Sequence, residues 1–294
     1  MSISASLVKQ LREQTGCPMM DCKKALVEAG GDLSTAQDIL RKRGHESASK
    51  RKDRATAEGI VAGFADPDGK RAALAELLCE TDFVAKNDDF TSLARSLAED
   101  LVRLPGLPGD EEAFLASVAE GRTGTVADRI REVQNTLKEN IRLGRFRRLD
   151  AGEGERTDVY VHFNGKIGTA ILLGMSSPAL AEKPAVLELL KDLCMQTAFS
   201  APLALQREDM PEDIVEKERS VLAGLDEVKS KPEKVQPKIV EGKLNKFFKE
   251  KTLLEQEFVK EKKVAVKKVL QRVGKEAGGS LDIKDFVRLE VGET

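Results

Sequence analysis

The side chains best suited to chemistry are few and scattered. Four cysteines, Cys17, Cys22, Cys79 and Cys194, share no C-x-x-C spacing, and the two histidines, His45 and His162, stand far apart. Zinc needs three or four such ligands converging on one point, and this set offers no cluster of that kind. The cysteines read as reduced structural thiols of a cytosolic protein. Acidic pairs are plentiful, Asp88-Asp89 and Glu111-Glu112 among them. A carboxylate pair does acid–base work only where a pocket shifts its pKa values, and these sit in solvated or helix-starting stretches. The sequence holds no G-x-x-x-x-G-K-[ST], no G-x-G-x-x-G opening a helix, no H-E-x-x-H and no G-x-S-x-G. Neither an enzyme nor a bound cofactor or metal is expected. What remains is a protein whose function is contact.

The stretch CETDFVAKNDDF, Cys79 to Phe90, is the strongest candidate for that contact. Thr81 suits a helix cap, and Asp82 suits the positive end of the helix it opens. Phe83 fits less well, because the apolar stripe of the following helix begins cleanly at Phe90. Taken blind, Phe83 packs inward in a capped turn; projecting, it would anchor in a partner's pocket. Met19-Met20 cannot both face inward on one helix, so one of them is expected at the surface. Ile167-Gly168 reads as a buried strand with a close backbone approach. His162 alternates to the face opposite Val161 and Phe163 and reads as a surface histidine.

The elements that position these residues follow from punctuation and periodicity. Ser4 or Ser6 caps a first helix that Thr15-Gly16 ends, and Pro18 opens a second that Gly30-Gly31 closes. Asp32 or Ser34 starts a third, which Gly44 stops. HESASKRKDRATAEG is a basic linker, whose lack of apolar period leaves a helical conformation open. Its Lys50, Arg51, Lys52 and Arg54 could touch phosphate, but so short a run is more often simply solvated. Pro67-Asp68-Gly69 and Asn164-Gly165 each join two apolar runs as a hairpin, each is followed by lysine, and each hairpin precedes an amphipathic helix. That is the pattern of an internal duplication. TGTVADRIREVQNTLKENIRLGRF reads as one long helix joining the halves. Two charged helices separated by Lys231-Pro232 carry a narrow seam, Ile214, Val221, Leu225 and Val228 against Val235, Ile239 and Phe247, with Pro237 an imperfection inside the second. DIKDFVRLEV alternates like a closing strand, with Phe286, Arg288 and Glu290 on one face and Val287, Leu289 and Val291 on the other.

In bulk, the chain has 294 residues, 33% of them charged and 40% hydrophobic, with a net charge of −2. That suits more than one soluble domain, with no global pull toward nucleic acid or an anionic membrane. No apolar run is long enough to span a bilayer, and the polar start lacks a signal peptide's apolar stretch. A cytoplasmic protein is expected.

The ordered motifs resemble the elongation factor Ts family. TDFVAKND resembles its signature segment, and KENIRLGRFRR, YVHFNGKIG, EKERSVL, IVEGKLNKFF and FVRLEVGE resemble the family in order over essentially the whole chain. The opening SLVKQLREQTGCPMMDCKKALVEAGGDLSTAQDILRKRG resembles the family's amino-terminal domain, similar to a ubiquitin-associated fold. The fold class implied is α+β. A UBA-like three-helix domain (1–45) and a basic linker (46–56) precede two tandem β-β-α subdomains, 57–150 with the joining helix and 151–294. A protruding antiparallel helical hairpin occupies about 211–249.

The family resemblance implies a guanine-nucleotide exchange factor whose partner is elongation factor Tu. Asp82 and Phe83, with Thr81 and Val84 in the same segment, would enter the partner near its magnesium site. Lys9, Met19, Met20 and Lys23 would lie near the partner's nucleotide domain, and Ile167 and Gly168 would support contact with its third domain. Gln196, in the second subdomain, would also contact the partner and stands where some relatives carry histidine, and the chain stops at VGET where some continue into a carboxy-terminal helix. No nucleic acid or membrane is expected as a partner, and self-association stays open. The rival readings are a ubiquitin-associated-type adaptor and a nucleic-acid-binding protein using the Lys50–Arg54 run.

Overall fold

The computed structural model describes residues 3–51 and 53–293, with side chains throughout except at residues 45–50. The fold is α+β. Three helices come first: α1 (Ala5–Thr15), α2 (Met19–Glu28) and α3 (Leu33–Arg51). Ser4 caps α1 by accepting the Leu7 amide at 3.2 Å, and Gly16 ends it in the left-handed region at φ 65°. Val8, Leu11, Cys22, Ala25, Leu26, Ala36 and Leu40 form the core of this bundle.

The hairpin β1 (Glu58–Ala65) and β2 (Arg71–Cys79) follows, then the short turn of helix α4 (Asp82–Ala85) and the amphipathic α5 (Asp88–Arg103). Next come α6 (Glu111–Ala116), α7 (Val126–Leu137) and β3 (Arg142–Asp150), which completes a sheet of order β1-β2-β3. The second half has β4 (Glu155–Val161), β5 (Ile167–Met175), α8 (Pro184–Ser200), the helices α9 (Glu212–Gly224), α10 (Asp226–Lys229) and α11 (Gln236–Lys251), then α12 (Val266–Ala277) and β6 (Leu281–Glu290), with sheet order β4-β5-β6. By contacts the chain divides into two units. One comprises Met1–Ala62, Ala75–Phe146 and Glu290–Thr294, and the other Gly63–Leu74 and Arg147–Leu289.

The duplication extends further than the two hairpins. In each hairpin a glycine at positive φ, Gly69 (68°) or Gly165 (70°), donates its amide to the residue three back, Asp66 or His162. Asp68 and Asn164 then accept the amide of the following lysine, at 3.1 and 3.0 Å. From there the halves stay in register at a spacing of 96 residues, as Gly69 is to Gly165: β2 to β5, Thr81 to Ser177, and the start of α5 to the start of α8. Each half also closes alike, α7 with β3 and α12 with β6. Both of those helices end in a left-handed residue, Lys138 (φ 63°) or Gly278 (φ 88°).

The helices depart from sequence expectation in four places. Gly44 does not stop α3, which runs on to Arg51 through the stretch read as linker. A glycine ends a helix by turning left-handed, and Gly44 does not; instead it lies against α7, where an added Cβ would come 2.1 Å from Asn135. The joining helix stops at Leu137, and KENIRLGRF turns into β3, because Lys138 takes the left-handed conformation that closes a helix. Pro237 lies in the first turn of α11 rather than inside it, where its missing N–H costs nothing. The helical seam is also shifted: Val228, Val240 and Leu244 are buried, whereas Val221 and Val235 are exposed. Leu225 adopts extended backbone between α9 and α10, and that break resets the helical period.

Candidate functional site

The segment Thr81–Ala85 is a single turn, too short to be helical by its own propensity, and tertiary bonds hold it. Thr81 caps the turn, its Oγ1 accepting the Val84 amide at 3.3 Å, and Ala85 is buried beneath it. The buried Cys79 thiol donates to the Thr81 carbonyl at 3.2 Å. Glu139, just past the end of α7, supplies the largest clamp. Its Oε2 accepts the amides of Glu80 and Thr81, both at 3.1 Å, and its Oε1 accepts the Thr81 hydroxyl at 2.6 Å. Glu80 in turn accepts the Asn140 amide at 2.6 Å and pairs with Arg54 at 3.3 Å.

On this anchored turn Phe83 is 82% exposed. Asp82 is exposed beside it and accepts from Lys86 at 2.7 Å, a hydrogen bond that raises the pKa of the lysine ammonium. Val84 is half-buried. A large apolar ring and a carboxylate thus project from a fixed backbone. The internal repeat shows that the scaffold does not require them. The equivalent turn in the second half, Ser177–Leu180, is also capped by a hydroxyl, Ser177 Oγ accepting the Ala179 amide at 3.3 Å, two residues on rather than three, yet it carries Pro178 and Ala179 where the first half has Asp82 and Phe83.

A second exposed surface lies on α2. Met19 and Met20 are 50% and 61% exposed, both outward rather than one of the two; the buried face of this helix is Cys22, Ala25 and Leu26. Lys23 is exposed on the same helix, as is Val27, which the sequence reading passed over. Lys9, on α1, is exposed and pairs with Glu13 at 3.7 Å. Asp21 of α2 pairs with Lys138 at 3.2 Å.

In the other unit, Ile167 is half-buried at the start of β5, and Gly168 is buried opposite Val161. The turn of that hairpin presents Phe163, 92% exposed, with the His162 ring 4.5 Å from its own. His162 is half-buried and bonds Tyr160 Oη at 2.9 Å rather than standing free at the surface. The alternation Val161, Phe163 suggested a strand position, but Asn164-Gly165 places Phe163 in the turn, where Pro67 stands in the first hairpin. That equivalence is the signal that could have found it.

Gln196 is fully buried. Its amide nitrogen donates to Ser200 Oγ, Gln256 Oε1 and the Glu257 carbonyl, and its oxygen accepts the Val259 amide at 2.7 Å. These bonds tie the helix to the chain around Glu257–Val259.

In the basic run, Arg51 is buried and donates to the Gln134 carbonyl, while Arg54 pairs with Glu80. Lys52 and the side chains of Lys50 and His45 lie outside the described residues. Among the described residues no group of three or more metal-ligating side chains converges, and no helix is long and apolar enough to cross a membrane.

The family description "Elongation factor TS" matches residues 80–293. The chain is also 41% identical to the elongation factor Ts of Aquifex aeolicus, over 99% of both chains. It is 39% identical to that of Desulfovibrio desulfuricans, over 99% of this chain and 98% of the relative, and 39% identical to that of Clostridium botulinum strain Alaska E43, over 99% and 93%. The chain belongs to the elongation factor Ts family. Membership makes it a translation elongation factor. The stretch that matches the elongation factor Ts description begins at Glu80, so it contains the Phe83 turn, its Glu139 clamp, the Phe163 hairpin and Gln196. The three-helix bundle precedes that stretch and is covered by the full-length elongation factor Ts relatives.

Proposed function

We propose that this protein is the guanine-nucleotide exchange factor of elongation factor Tu, acting in the cytoplasm by contact alone. The observation that carries the reading is Phe83: a large apolar side chain, almost wholly exposed, on a turn whose backbone is bonded from three directions. An exposed ring on a floppy loop would lose its binding energy to ordering, whereas a ring on a fixed turn enters a pocket at little entropic cost. Asp82 beside it brings negative charge to the partner's magnesium and phosphate groups, where it competes for the ion. Displacing magnesium is an efficient lever because the ion neutralises several phosphate charges at once. Met19, Met20, Lys9 and Lys23 form a second contact, with the partner's nucleotide domain, and the Ile167-Gly168 hairpin supports a third.

Exchange then follows from linkage. A factor that binds nucleotide-free partner more tightly than the nucleotide-bound form lowers nucleotide affinity by the same ratio. A coupling of about 4 kcal/mol corresponds to roughly a thousandfold. The test is a chase of fluorescent GDP from purified elongation factor Tu. The protein should accelerate release strongly in millimolar magnesium and much less when a chelator has already stripped the ion. No acceleration at any concentration, or an acceleration indifferent to magnesium, would sink the reading.

A further inference from the structure

We propose that Glu139 is a positioning residue that holds the Thr81–Ala85 turn so that Phe83 and Asp82 are presented in one orientation. The inference rests on the reading of Phe83 and Asp82 as the groups that enter the partner. An ionised carboxylate accepting two backbone amides and a hydroxyl makes charge-assisted bonds, the strong kind. All three of its donors lie on the two residues immediately before Asp82.

The second repeat separates this role from mere closure of the fold. There the corner after the helix is Gly278-Gly279-Ser280, where the first repeat has Lys138-Glu139-Asn140. Both corners join the strand end alike: the Asn140 amide donates to the Glu80 side chain at 2.6 Å, and the Ser280 amide to the Ser176 hydroxyl at 2.9 Å. The second corner closes with no carboxylate, and a Cβ at Gly279 would come 2.5 Å from Ser176 Oγ. The architecture therefore does not need a glutamate to turn this corner. The carboxylate and the projecting Asp-Phe pair occur together in one repeat and are absent together from the other, where Pro178-Ala179 needs no aiming.

The experiment measures GDP release from elongation factor Tu across a concentration series of Glu139→Ala, Glu139→Gln, Phe83→Ala and the double variant Phe83→Ala/Glu139→Ala, beside thermal melts and amide hydrogen exchange of the free proteins. Glu139→Ala should lower the maximal release rate about tenfold or more, since small misplacements of a positioned group are costly, while leaving the half-saturating concentration nearly unchanged. Glu139→Gln keeps the length and one acceptor oxygen and should recover part of that rate. In the Phe83→Ala background the second substitution should add little, and the amides of Thr81–Lys86 should exchange faster in both alanine variants at position 139. A Glu139→Ala protein with a wild-type maximal rate, or one that slows Phe83→Ala by the same factor as it slows wild type, overturns the proposal. If Glu139→Ala melts too low to assay, Glu139→Gln carries the rate comparison, and a wild-type rate there overturns it equally. If Phe83→Ala itself exchanges normally, the reading of the turn fails and takes this inference with it. Slow exchange at Thr81–Lys86 in Glu139→Ala overturns the clamp alone.

Discussion

Phe83 and Phe90 flank one helix start, yet the first is almost fully exposed and the second wholly buried. Their alanine variants should therefore behave oppositely. Phe90→Ala opens a core cavity and should cost about 3–5 kcal/mol. Phe83→Ala opens none and should change stability by no more than about 0.5 kcal/mol, while slowing GDP release from elongation factor Tu. Asp82→Ala removes an exposed pair with Lys86 and should barely move the melt, yet it too should slow release. The double substitution should be less than additive if the two residues act as one unit. Thermal melts beside a fluorescent GDP chase decide the matter. A Phe83→Ala protein that melts far below wild type yet exchanges normally per folded molecule would reverse the assignment. Gln196, a contact position only by family resemblance, spends its amide on four neighbours in the interior.

At the scale of elements, α7 matters because the corner just past its end clamps Phe83's turn. Its start is a capping box: Thr125 Oγ1 accepts the Asp128 amide at 3.1 Å, and Asp128 accepts the Thr125 amide at 3.1 Å. Thr125→Ala should cost about 1 kcal/mol at neutral pH. Hydrogen bonds from Thr125 hold the Asp128 carboxyl below its ordinary pKa. A depressed folded pKa contributes stability above the unfolded value and loses it as pH falls through the folded one. The gap between wild type and Thr125→Ala should thus be constant near neutrality and narrow below about pH 4, as urea melts across pH would show. The other end is Lys138, a non-glycine residue at positive φ where the second repeat has Gly278. Lys138→Gly should raise stability by up to about 1 kcal/mol. A lower melting temperature would mean that the Lys138–Asp21 pair outweighs the backbone strain.

For the whole molecule, the helices α9–α11 carry their own small set of buried residues, Val228, Val240 and Leu244, and their own ion pairs, Arg219 with Glu241 and Lys243 with Glu227. Arg207, bonded to Glu255 and to Asn245, ties the base of the hairpin. Replacing residues 217–242 by a short Gly/Ser loop keeps that base and should leave one cooperative melt for the remainder. Aggregation or a split transition would mean that the hairpin covers core surface. The three-helix bundle is a weaker candidate for such surgery at Gly44 than its punctuation suggests, since α3 continues to Arg51 and bonds the end of α7. Features set by neighbours in sequence were legible from the residues alone: a cap at Ser4 or Ser6, which the structure resolves to Ser4, the cap at Thr81, the hairpin turns at Gly69 and Gly165, the buried stripe from Phe90, and the repeat itself. Each depends on a few adjacent dihedrals and on hydrophobic period. Features set by distant partners were not. The role of Gly44 comes from Asn135, the enclosure of Gln196 from the loop around Gln256, and the clamp on Phe83's turn from a carboxylate 58 residues beyond Thr81. No local pattern marks Glu139, because what it does is decided by where folding brings it.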